Sequence, residues 1–297
     1  MLTRYLTTGH VSAPITLPTH TDTTAARRTD RYLPGGWSLH DDSVHPSPAA
    51  VTITLGAAEI TSDRDTVHVR LSTTAARTET LAYVTYTALE RVRQQQHRVT
   101  VHANALHTPA GQAVLLLGAK SSGKTTTSLA LAARGWCHAG DDLVVLGDDD
   151  RSDGHGNVTV WPGKPTAAVR DPHQPLAPKP QHPLTPFATR PAPLTWIVRL
   201  AVHPALTTSA LTGAAPVSVN ERLRLHENLA RYISGIPTPI SGLTGTPYGT
   251  VWPLDTPALA RWRSRLLTRL LTCRFDYLHA PDPDHAADLL TQRADAA

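Results

Sequence analysis

The first hundred residues contain two short segments in which apolar and polar residues alternate, 51–55 and 66–71. This period of two is typical of half-buried strands. The polar residues 62–65 between them suit a turn, so we predict an antiparallel pair. Apolar positions then recur at helical spacing over residues 78–96, and a further strand is predicted over residues 99–106.

The best-defined pattern covers residues 113–147. A continuous apolar run at 113–117 is typical of a buried parallel strand. A helix is predicted from about 124 to 134, and Gly135 stands where a helix-capping glycine belongs. A second buried strand is predicted over residues 140–146. Together these elements predict a strand–loop–helix–strand crossover.

The remaining segments carry weaker patterns. Residues 1–48 are rich in Thr, Pro and His with little periodicity, which predicts loops, with or without short strands. The proline-dense residues 162–193 predict a long surface excursion, either a lid over a substrate or a plain loop. Other predicted elements are strands at 158–161 and 194–201 and helices near 220–233 and 256–272.

The composition of the 297-residue chain fits one large or two small globular domains. Hydrophobic residues make up 40% and charged residues only 18%, so a sizeable core is available and general disorder is excluded. The 28 basic and 24 acidic residues leave a mild net charge of +4, which permits an anionic ligand without calling for nucleic acid. No aromatic-rich strand or concentrated basic tract predicts a nucleic-acid partner.

Cysteine content and hydropathy bear on where the protein works. The two cysteines, Cys137 and Cys273, cannot form a disulfide framework, which favours a reducing cytoplasm. The first twenty residues lack the apolar run of a signal peptide. No stretch approaches the roughly 18 uninterrupted apolar residues of a membrane span. We therefore expect a soluble cytoplasmic protein without a membrane partner, and the sequence leaves a homo-oligomer open.

Residues 118–125 match the phosphate-loop pattern G-x-x-x-x-G-K-S/T in full. Its glycines let the backbone turn tightly, so that amide N–H groups point at phosphates, and the helix that follows adds its N-terminal partial positive charge. Lys124 would reach the β- and γ-phosphates of ATP, and the Thr125 hydroxyl would ligate Mg²⁺. A glycine-rich helix entry with a chance lysine is the alternative. The residues expected to line the nucleotide are Gly118, Ala119, Lys120, Ser121, Ser122, Gly123, Lys124, Thr125 and Thr126.

Two adjacent acids, Asp141 and Asp142, open the second predicted strand of this unit. Open α/β sheets bind ligands at the ends of their parallel strands, so one carboxylate would hold Mg²⁺ and the other would accept the proton of an attacking hydroxyl. Neighbours on a strand point in opposite directions, so the two acids should differ in role. Solvated or capping acids are the alternative. His102 is a weak signal by itself, since the chain has sixteen histidines.

Taken together, these residues resemble the HPr kinase/phosphorylase family, and more closely its shorter HPr-kinase-related members. The resemblance rests on His-Ala-Asn-Ala at 102–105, on the phosphate loop with its alanine-rich helix ending in Arg-Gly at 113–135, and on Gly-Asp-Asp at 140–142. Lys124 and Asp141 stand seventeen residues apart, as in the family. Some of the short relatives act on free serine, and others act on natural-product precursor peptides.

The resemblance implies an α/β fold, namely the P-loop core of the HPr kinase and phosphoenolpyruvate carboxykinase-like type. That core is a mixed sheet with flanking helices, preceded by a small N-terminal β-rich region. We accordingly expect an N-terminal β-rich and helical region over residues 1–96 and a P-loop kinase domain over 97–297. The match is firm over residues 99–147 and weak over 158–201, and none is seen before residue 50.

The resemblance also implies roles for individual residues. It makes Asp141 the general base for the acceptor hydroxyl, with His102 beside it. It places Lys124 on the phosphates, and Thr125 and Asp142 on the metal. Full-length HPr kinases carry a Glu-x-Arg-Gly signature after the aspartates, whose glutamate helps to hold metal. Residues 166–170 contain no glutamate, which argues against HPr as the substrate and puts phosphorylase activity in doubt.

The expected function is an ATP-dependent kinase that phosphorylates a serine- or threonine-type hydroxyl of a peptide or small molecule, in the setting of natural-product biosynthesis. The alternative is a nucleotide-binding regulatory ATPase that signals by shape without an acceptor. Arg170, Arg199 and Lys164 are candidate contacts for phosphates or an acceptor carboxylate, with ordinary surface charges as the alternative. The predicted helix 256–272 has a basic stripe that is either a dock for an acidic peptide or a solvated face, formed by Arg261, Arg265 and Arg269 opposite the apolar Leu259, Trp262, Leu266 and Leu270.

Overall fold

The computed structural model of the chain describes residues 2–8, 11–17, 19, 38–40, 50–57, 59–63, 66–72, 89–148, 157–169, 180–234 and 254–296. The chain divides into two units, one of Met1–Thr100 with Glu227–Ser264 and the other of Val101–His226 with Arg265–Ala297. The domain boundary expected between residues 96 and 97 stays a prediction.

The described strands are β1 (Leu2–Thr8), β2 (Val11–Leu17), β3 (Ser38–His40), β4 (Ala50–Leu55), β5 (Glu59–Ser62), β6 (Thr66–Leu71), β7 (Arg98–Val101), β8 (Asn104–His107), β9 (Ala113–Leu117), β10 (Cys137–Gly140), β11 (Val144–Asp148), β12 (Val158–Trp161), β13 (Thr166–Ala168), β14 (Gln181–Pro183), β15 (Ala192–Val202), β16 (Ala210–Gly213) and β17 (Arg274–Ala280). The described helices are α1 (89–95), α2 (Lys124–Ala132), α3 (Val219–Ala230), α4 (Pro257–Leu270) and α5 (Pro283–Asp295).

The first unit holds a six-stranded sheet in the order β3-β1-β2-β4-β6-β5. The predicted alternation of β6 is confirmed, because its apolar positions are buried and its polar positions are more exposed. The predicted antiparallel pairing of 51–55 with 66–71 is wrong, since β4 and β6 run parallel. β5 lies between them in the chain and pairs antiparallel with β6. The chain therefore reverses direction twice, and β6 runs in the same direction as β4.

The predicted helix 78–96 is confirmed over its described part, α1, while residues 78–88 lie outside the described residues. The single strand predicted over 99–106 is wrong. It is divided into β7 and β8, with His102 in a bend between them. Residues 103–106 are all buried, so the apolar run carries no alternation that could have marked the bend.

The second unit is built on a mixed sheet in which β10, β8, β9, β15, β12 and β11 lie side by side in that order. β9 pairs antiparallel with β8 and parallel with β15, and β15 also runs parallel to β17. The expected mixed α/β class is confirmed. One apolar cluster joins β9, β15 and β17 to the helices α2 and α5, through Val114, Leu116, Leu131, Val198, Leu200, Leu278, Ala286 and Leu290 among others.

The sheet order brings the start of β8 and the ends of β9 and β10 to the same end of the sheet. Asn104, at the start of β8, pairs with Leu116 near the end of β9, and Gly140, at the end of β10, pairs with Ala105. The predicted continuous strand 140–146 is wrong, because β10 ends at Gly140 and β11 begins at Val144. β10 pairs with β8, whereas β11 pairs with β12. The two aspartates lie in the bend between β10 and β11.

The capped helix after the loop is confirmed. α2 ends in a Schellman motif, in which the Trp136 N–H donates to the Leu131 carbonyl and the Gly135 N–H donates to the Ala132 carbonyl, at 3.2 and 3.1 Å. Gly135 has a φ of 87°, which is the left-handed conformation that favours glycine at this position. The predicted strands at 158–161 and 194–201 are confirmed as β12 and β15.

The proline-dense residues 162–193 are not purely a surface excursion. β13 and β14 form a two-stranded sheet there, and Lys164, Ala167, Leu184 and Ala188 are buried. Proline density reports where regular strands cannot continue, and it carries no information about burial. Residues 170–179 lie outside the described residues.

Helices α3 and α4 are confirmed near the predicted positions, and the apolar face of α4 is buried as expected. Arg261 and Arg265 are exposed. Arg269 instead forms a salt bridge with Asp148, with 2.6 Å between Nη1 and Oδ1. The sequence analysis missed β17 and α5, although Asp282 before Pro283 is a helix-start signature. The described helices include none with the length and apolar character that a bilayer crossing needs.

Candidate functional site

Residues 118–123 form the loop between β9 and α2. Ser121 and Gly123 both have left-handed backbones, with φ of 66° and 86°. The Ser122 N–H donates to the Ala119 carbonyl at 3.2 Å, and the Ser122 carbonyl accepts from Val202 N–H at 3.1 Å. The loop is therefore tightly turned and is braced by the end of β15.

The two outer glycines of the loop have no room for a side chain. A Cβ on Gly118 would lie 2.1 Å from Ser122 Oγ, and one on Gly123 would lie 2.6 Å from Val202 Cβ. Both positions require glycine for packing reasons, and Gly123 also requires it for its positive φ.

The alanine variant Gly123→Ala should lower the free energy of unfolding by more than Gly111→Ala, which is a matched control. Both glycines have positive φ, but a Cβ on Gly111 meets nothing within 4 Å. The control therefore carries only the left-handed penalty of about 1–2 kcal/mol, whereas Gly123→Ala adds overpacking of about 1–3 kcal/mol. Urea denaturation of the two variants measures this, and equal losses would contradict the close packing of Gly123 on β15.

Lys124, the first residue of α2, folds back over the loop. Its Nζ donates to the carbonyls of Gly118 and Ala119, each at 3.0 Å. The residue is only 8% exposed. Burial lowers the pKa of the Lys124 ammonium, the carboxylates of the two neighbouring aspartates oppose this, and the charge of Arg199 adds to it.

Asp141 lies beneath the start of α2. Its Oδ1 accepts hydrogen bonds from Thr125 Oγ1 at 2.8 Å and from Asn104 Nδ2 at 2.6 Å, and the residue is 3% exposed. Burial raises the pKa of the Asp141 carboxyl and the charge of Asp142 adds to this, while the two hydrogen bonds and the charge of Lys164 oppose it. The Thr125 hydroxyl thus faces Asp141 across the start of the helix.

Asn104 was not predicted as a site residue, yet it connects several parts of the site. Besides Asp141, its Nδ2 contacts Ser128 Oγ on α2 at 3.1 Å, and its Oδ1 accepts the Asp142 N–H at 3.2 Å. The sequence offered one signal, since Asn104 is the polar residue in an otherwise apolar run at 103–106.

Asp142 and His102 form the outer part of the site. His102 Nδ1 lies 3.2 Å from Asp142 Oδ1, and the Asp142 side chain is 58% exposed. Asp142 has a φ of 64°, a conformation that costs a non-glycine residue about 1–2 kcal/mol. Such outliers concentrate at functional positions. The site thus has a buried acid against the helix and an exposed acid against a histidine.

The oxygen atoms of Thr125 and the two aspartates suit a magnesium ion that also binds substrate phosphates and water. They do not suit a metal ion held by protein side chains alone. Within the described residues, no group of three or more His, Cys, Asp and Glu side chains could hold a metal. Mg²⁺ is usually bound by one or two carboxylates, with substrate phosphates and waters completing its octahedron. The Thr125 hydroxyl and a carboxylate from the aspartate pair meet that requirement.

Comparison with known proteins adds little to this geometry. No family model and no curated protein matches the chain. Among solved structures, the chain is similar to the Hpr(Ser) kinase/phosphatase from Coxiella burnetii at 18% identity, over 37% of this chain and 69% of that one, with a TM-score of 0.26. A TM-score at this level supports no conclusion about this chain.

Two further cations flank the site. Lys164 is buried, its Nζ donates to Gln181 Oε1 at 3.0 Å, and its carbonyl accepts the Asp141 N–H at 3.3 Å. Arg199 lies on β15 in register with Leu117, the last residue before the loop. Arg170 lies outside the described residues. The exposed residues of the predicted nucleotide set are Ala119, Lys120, Ser121 and Thr126.

Proposed function

We propose that this chain is an ATP-dependent kinase that transfers a γ-phosphoryl group to a hydroxyl of a peptide or small molecule. One observation carries the proposal: Thr125, in the first turn after the loop, donates to a buried aspartate, while a second aspartate beside a histidine lies exposed. A nucleotide switch has no need of a second acid beside a histidine. The resemblance to HPr-kinase-related proteins, with their carboxykinase-like core, supports the same reading.

The loop supplies the nucleotide side of the site. Its left-handed residues and the start of α2 are the local geometry by which a loop of this kind presents amide N–H groups to phosphate oxygens. Lys124 is held over the loop by two carbonyls, so its ammonium is ready to exchange them for phosphate oxygens. We propose that residues 118–126 bind ATP in this manner.

The contacts favour an exchange of the roles that the sequence assigned to the two aspartates. Asp141 shares a hydrogen bond with Thr125, and the loop hydroxyl is the expected magnesium ligand. We therefore place Asp141 on the metal side. Asp142 is exposed to an arriving acceptor and lies against His102, so it is the better-placed general base. Geometry decides before pKa when such roles are assigned.

In this mechanism the residues mainly position the reactants and stabilise charge. Mg²⁺, when bound by Thr125 and Asp141, would neutralise charge on the phosphates. Lys124 orients the γ-phosphoryl group, Asp142 accepts the proton of the acceptor hydroxyl, and His102 orients the Asp142 carboxylate. The P–O bond to ADP breaks as a P–O bond to the acceptor oxygen forms.

The acceptor is proposed to be a peptide or small molecule and not HPr. β13 and its flanking residues contain no glutamate to act as a further metal ligand. The described residues of 162–193 that border Asp141 instead provide a lysine, Lys164. A cation at that place suits an acceptor that carries a carboxylate, such as free serine or an acidic peptide.

A transfer assay tests the proposal. The chain is incubated with γ-labelled ATP, Mg²⁺ and either free serine, free threonine or short peptides that end in serine, and label in the acceptor is counted. We expect stoichiometric labelling of at least one acceptor class and a much slower labelling with Lys124→Met. Hydrolysis of ATP without any labelled acceptor in this panel would favour the regulatory ATPase instead. Failure to bind ATP at all would reject both.

A further inference from the structure

Arg199 occupies a place that the proposed mechanism does not yet use. It stands on β15 between Leu117 of β9 and Tyr277 of β17, in register with both. β15 runs parallel to both strands, and its register with Leu117 places Arg199 beside the carboxyl end of β9, where sheets of this kind bind ligands.

The residues that follow Arg199 hold the phosphate loop directly. The Leu200 carbonyl lies 3.1 Å from where a Cβ on Gly118 would be, and the Val202 N–H donates to the Ser122 carbonyl. Leu200 and Val202 pack in the core with α2, so their positions are fixed relative to the loop. The backbone of Arg199 therefore belongs to the stretch of β15 that braces the loop.

The guanidinium of Arg199 is incompletely satisfied. Its side chain is 20% exposed, and its Nε is buried without a hydrogen-bond partner among the described residues. Burial, together with the charge of Arg224, lowers the pKa of Arg199 to about 10. Its charge also reaches the Lys124 ammonium and lowers that pKa. Like charges that interact in this way repel one another, and a bound anion would relieve the repulsion.

Glu221 of α3 holds the Arg199 side chain. Its carboxylate accepts a hydrogen bond from Arg199 Nη2 and is 1% exposed. Arg224, one turn along α3, lies 3.7 Å from the second oxygen of Glu221. A buried carboxylate of this kind fixes the guanidinium in one orientation.

We propose that Arg199 contacts the transferring phosphoryl group and stabilises the charge that develops on it, and that Glu221 is a positioning residue that holds the guanidinium there. This inference rests on the proposed kinase function. An arginine that serves this purpose donates to the phosphoryl oxygens without taking part in bond making. The proton of the acceptor still passes to the aspartate, and the electron pair of the broken bond stays on ADP.

The test separates binding of ADP from binding of the transferring group. Affinity for ADP with Mg²⁺ is measured by calorimetry with and without aluminium fluoride, which mimics the phosphoryl group in flight. For the wild type we expect tighter binding with fluoride. For Arg199→Met we expect unchanged affinity for ADP. We expect the gain in affinity from fluoride to fall by about 10³-fold, or to disappear if the wild-type gain is smaller, since such an arginine contributes at least about 10³-fold.

Two companion variants exclude a merely structural effect. Arg199→Lys keeps a charge on the same strand and guards against misfolding, and we expect it to lose most of the gain because it lacks the planar fork. Glu221→Gln should reduce the gain by about tenfold with ADP affinity kept. The control Arg222→Met removes an exposed arginine of α3 next to Glu221, and we expect it to behave as the wild type.

The outcomes are distinct for each claim. An undiminished fluoride gain in Arg199→Met overturns the inference and leaves the kinase proposal standing. An equal fall of ADP affinity with and without fluoride also overturns it, since Arg199 would then serve the fold or the nucleotide alone. Wild-type protein that binds neither ADP nor ATP rejects the kinase proposal, and the inference with it.

Discussion

Replacing Lys124 by methionine is expected to reduce phosphotransfer by about 10²–10³-fold, the usual loss when one charge-stabilising donor is removed. The ammonium lies over the loop carbonyls of Gly118 and Ala119 and is nearly buried, so its charge is held at the loop where the phosphates are proposed to bind. Methionine keeps the length and the apolar stem of the side chain. Transfer of label from ATP and calorimetric affinity for ATP measure the effect.

Lys120→Met is the matched control for this prediction. Lys120 belongs to the same loop and carries the same charge, but it is exposed. A screened surface charge contributes little, so its removal should cost far less than the removal of Lys124. If the two variants lose equal activity, the loop attracts nucleotide by overall charge, and the specific role of Lys124 is wrong.

Exchange of each aspartate for asparagine should separate the two acids. Asp142→Asn removes the proposed base, so we expect transfer to fall by about 10²–10⁴-fold with ATP affinity kept. Asp141→Asn removes the carboxylate that accepts from Thr125, so we expect a higher Mg²⁺ concentration for half-maximal activity. Initial rates over a range of Mg²⁺ concentrations, together with ATP affinity, distinguish the two effects.

The opposite pattern would restore the assignment made from the sequence. Should Asp141→Asn abolish transfer at saturating Mg²⁺ while Asp142→Asn shifts only the Mg²⁺ requirement, Asp141 is the base. Asp295→Asn is the control, because Asp295 is exposed near the end of α5 and lies outside the site. We expect no change in either measurement for it.

The tight loop at 118–123 and the helix after it could be predicted because their determinants are local. The apolar run, the glycines and the lysine all lie within residues 113–124, and the Schellman end of α2 is marked by Gly135 with its left-handed backbone. Local chemistry of this kind is what sequence patterns record. The tight loop and the helix were therefore within reach of the sequence, while the roles assigned to their residues stay predictions.

The orientation of the two aspartates was not within reach. The prediction treated Asp141 and Asp142 as neighbours on a strand, but the chain bends there because β10 pairs with β8 and β11 pairs with β12. Strand partners are chosen by long-range pairing, which leaves no trace in a short window. Long-range pairing also explains the error at β4 and β6. These strands are parallel, and the strand that pairs antiparallel with β6 is β5.

The bonds of Asn104 have a mechanical consequence. One amide touches the buried aspartate, the backbone of the exposed aspartate and a serine of α2. A displacement at the front of that helix must therefore be shared by both acids, because the amide cannot follow one partner without releasing another. The proposed nucleotide and acceptor sites would then move as one rigid unit, and a substitution that alters the binding of one ligand would also alter the binding of the other.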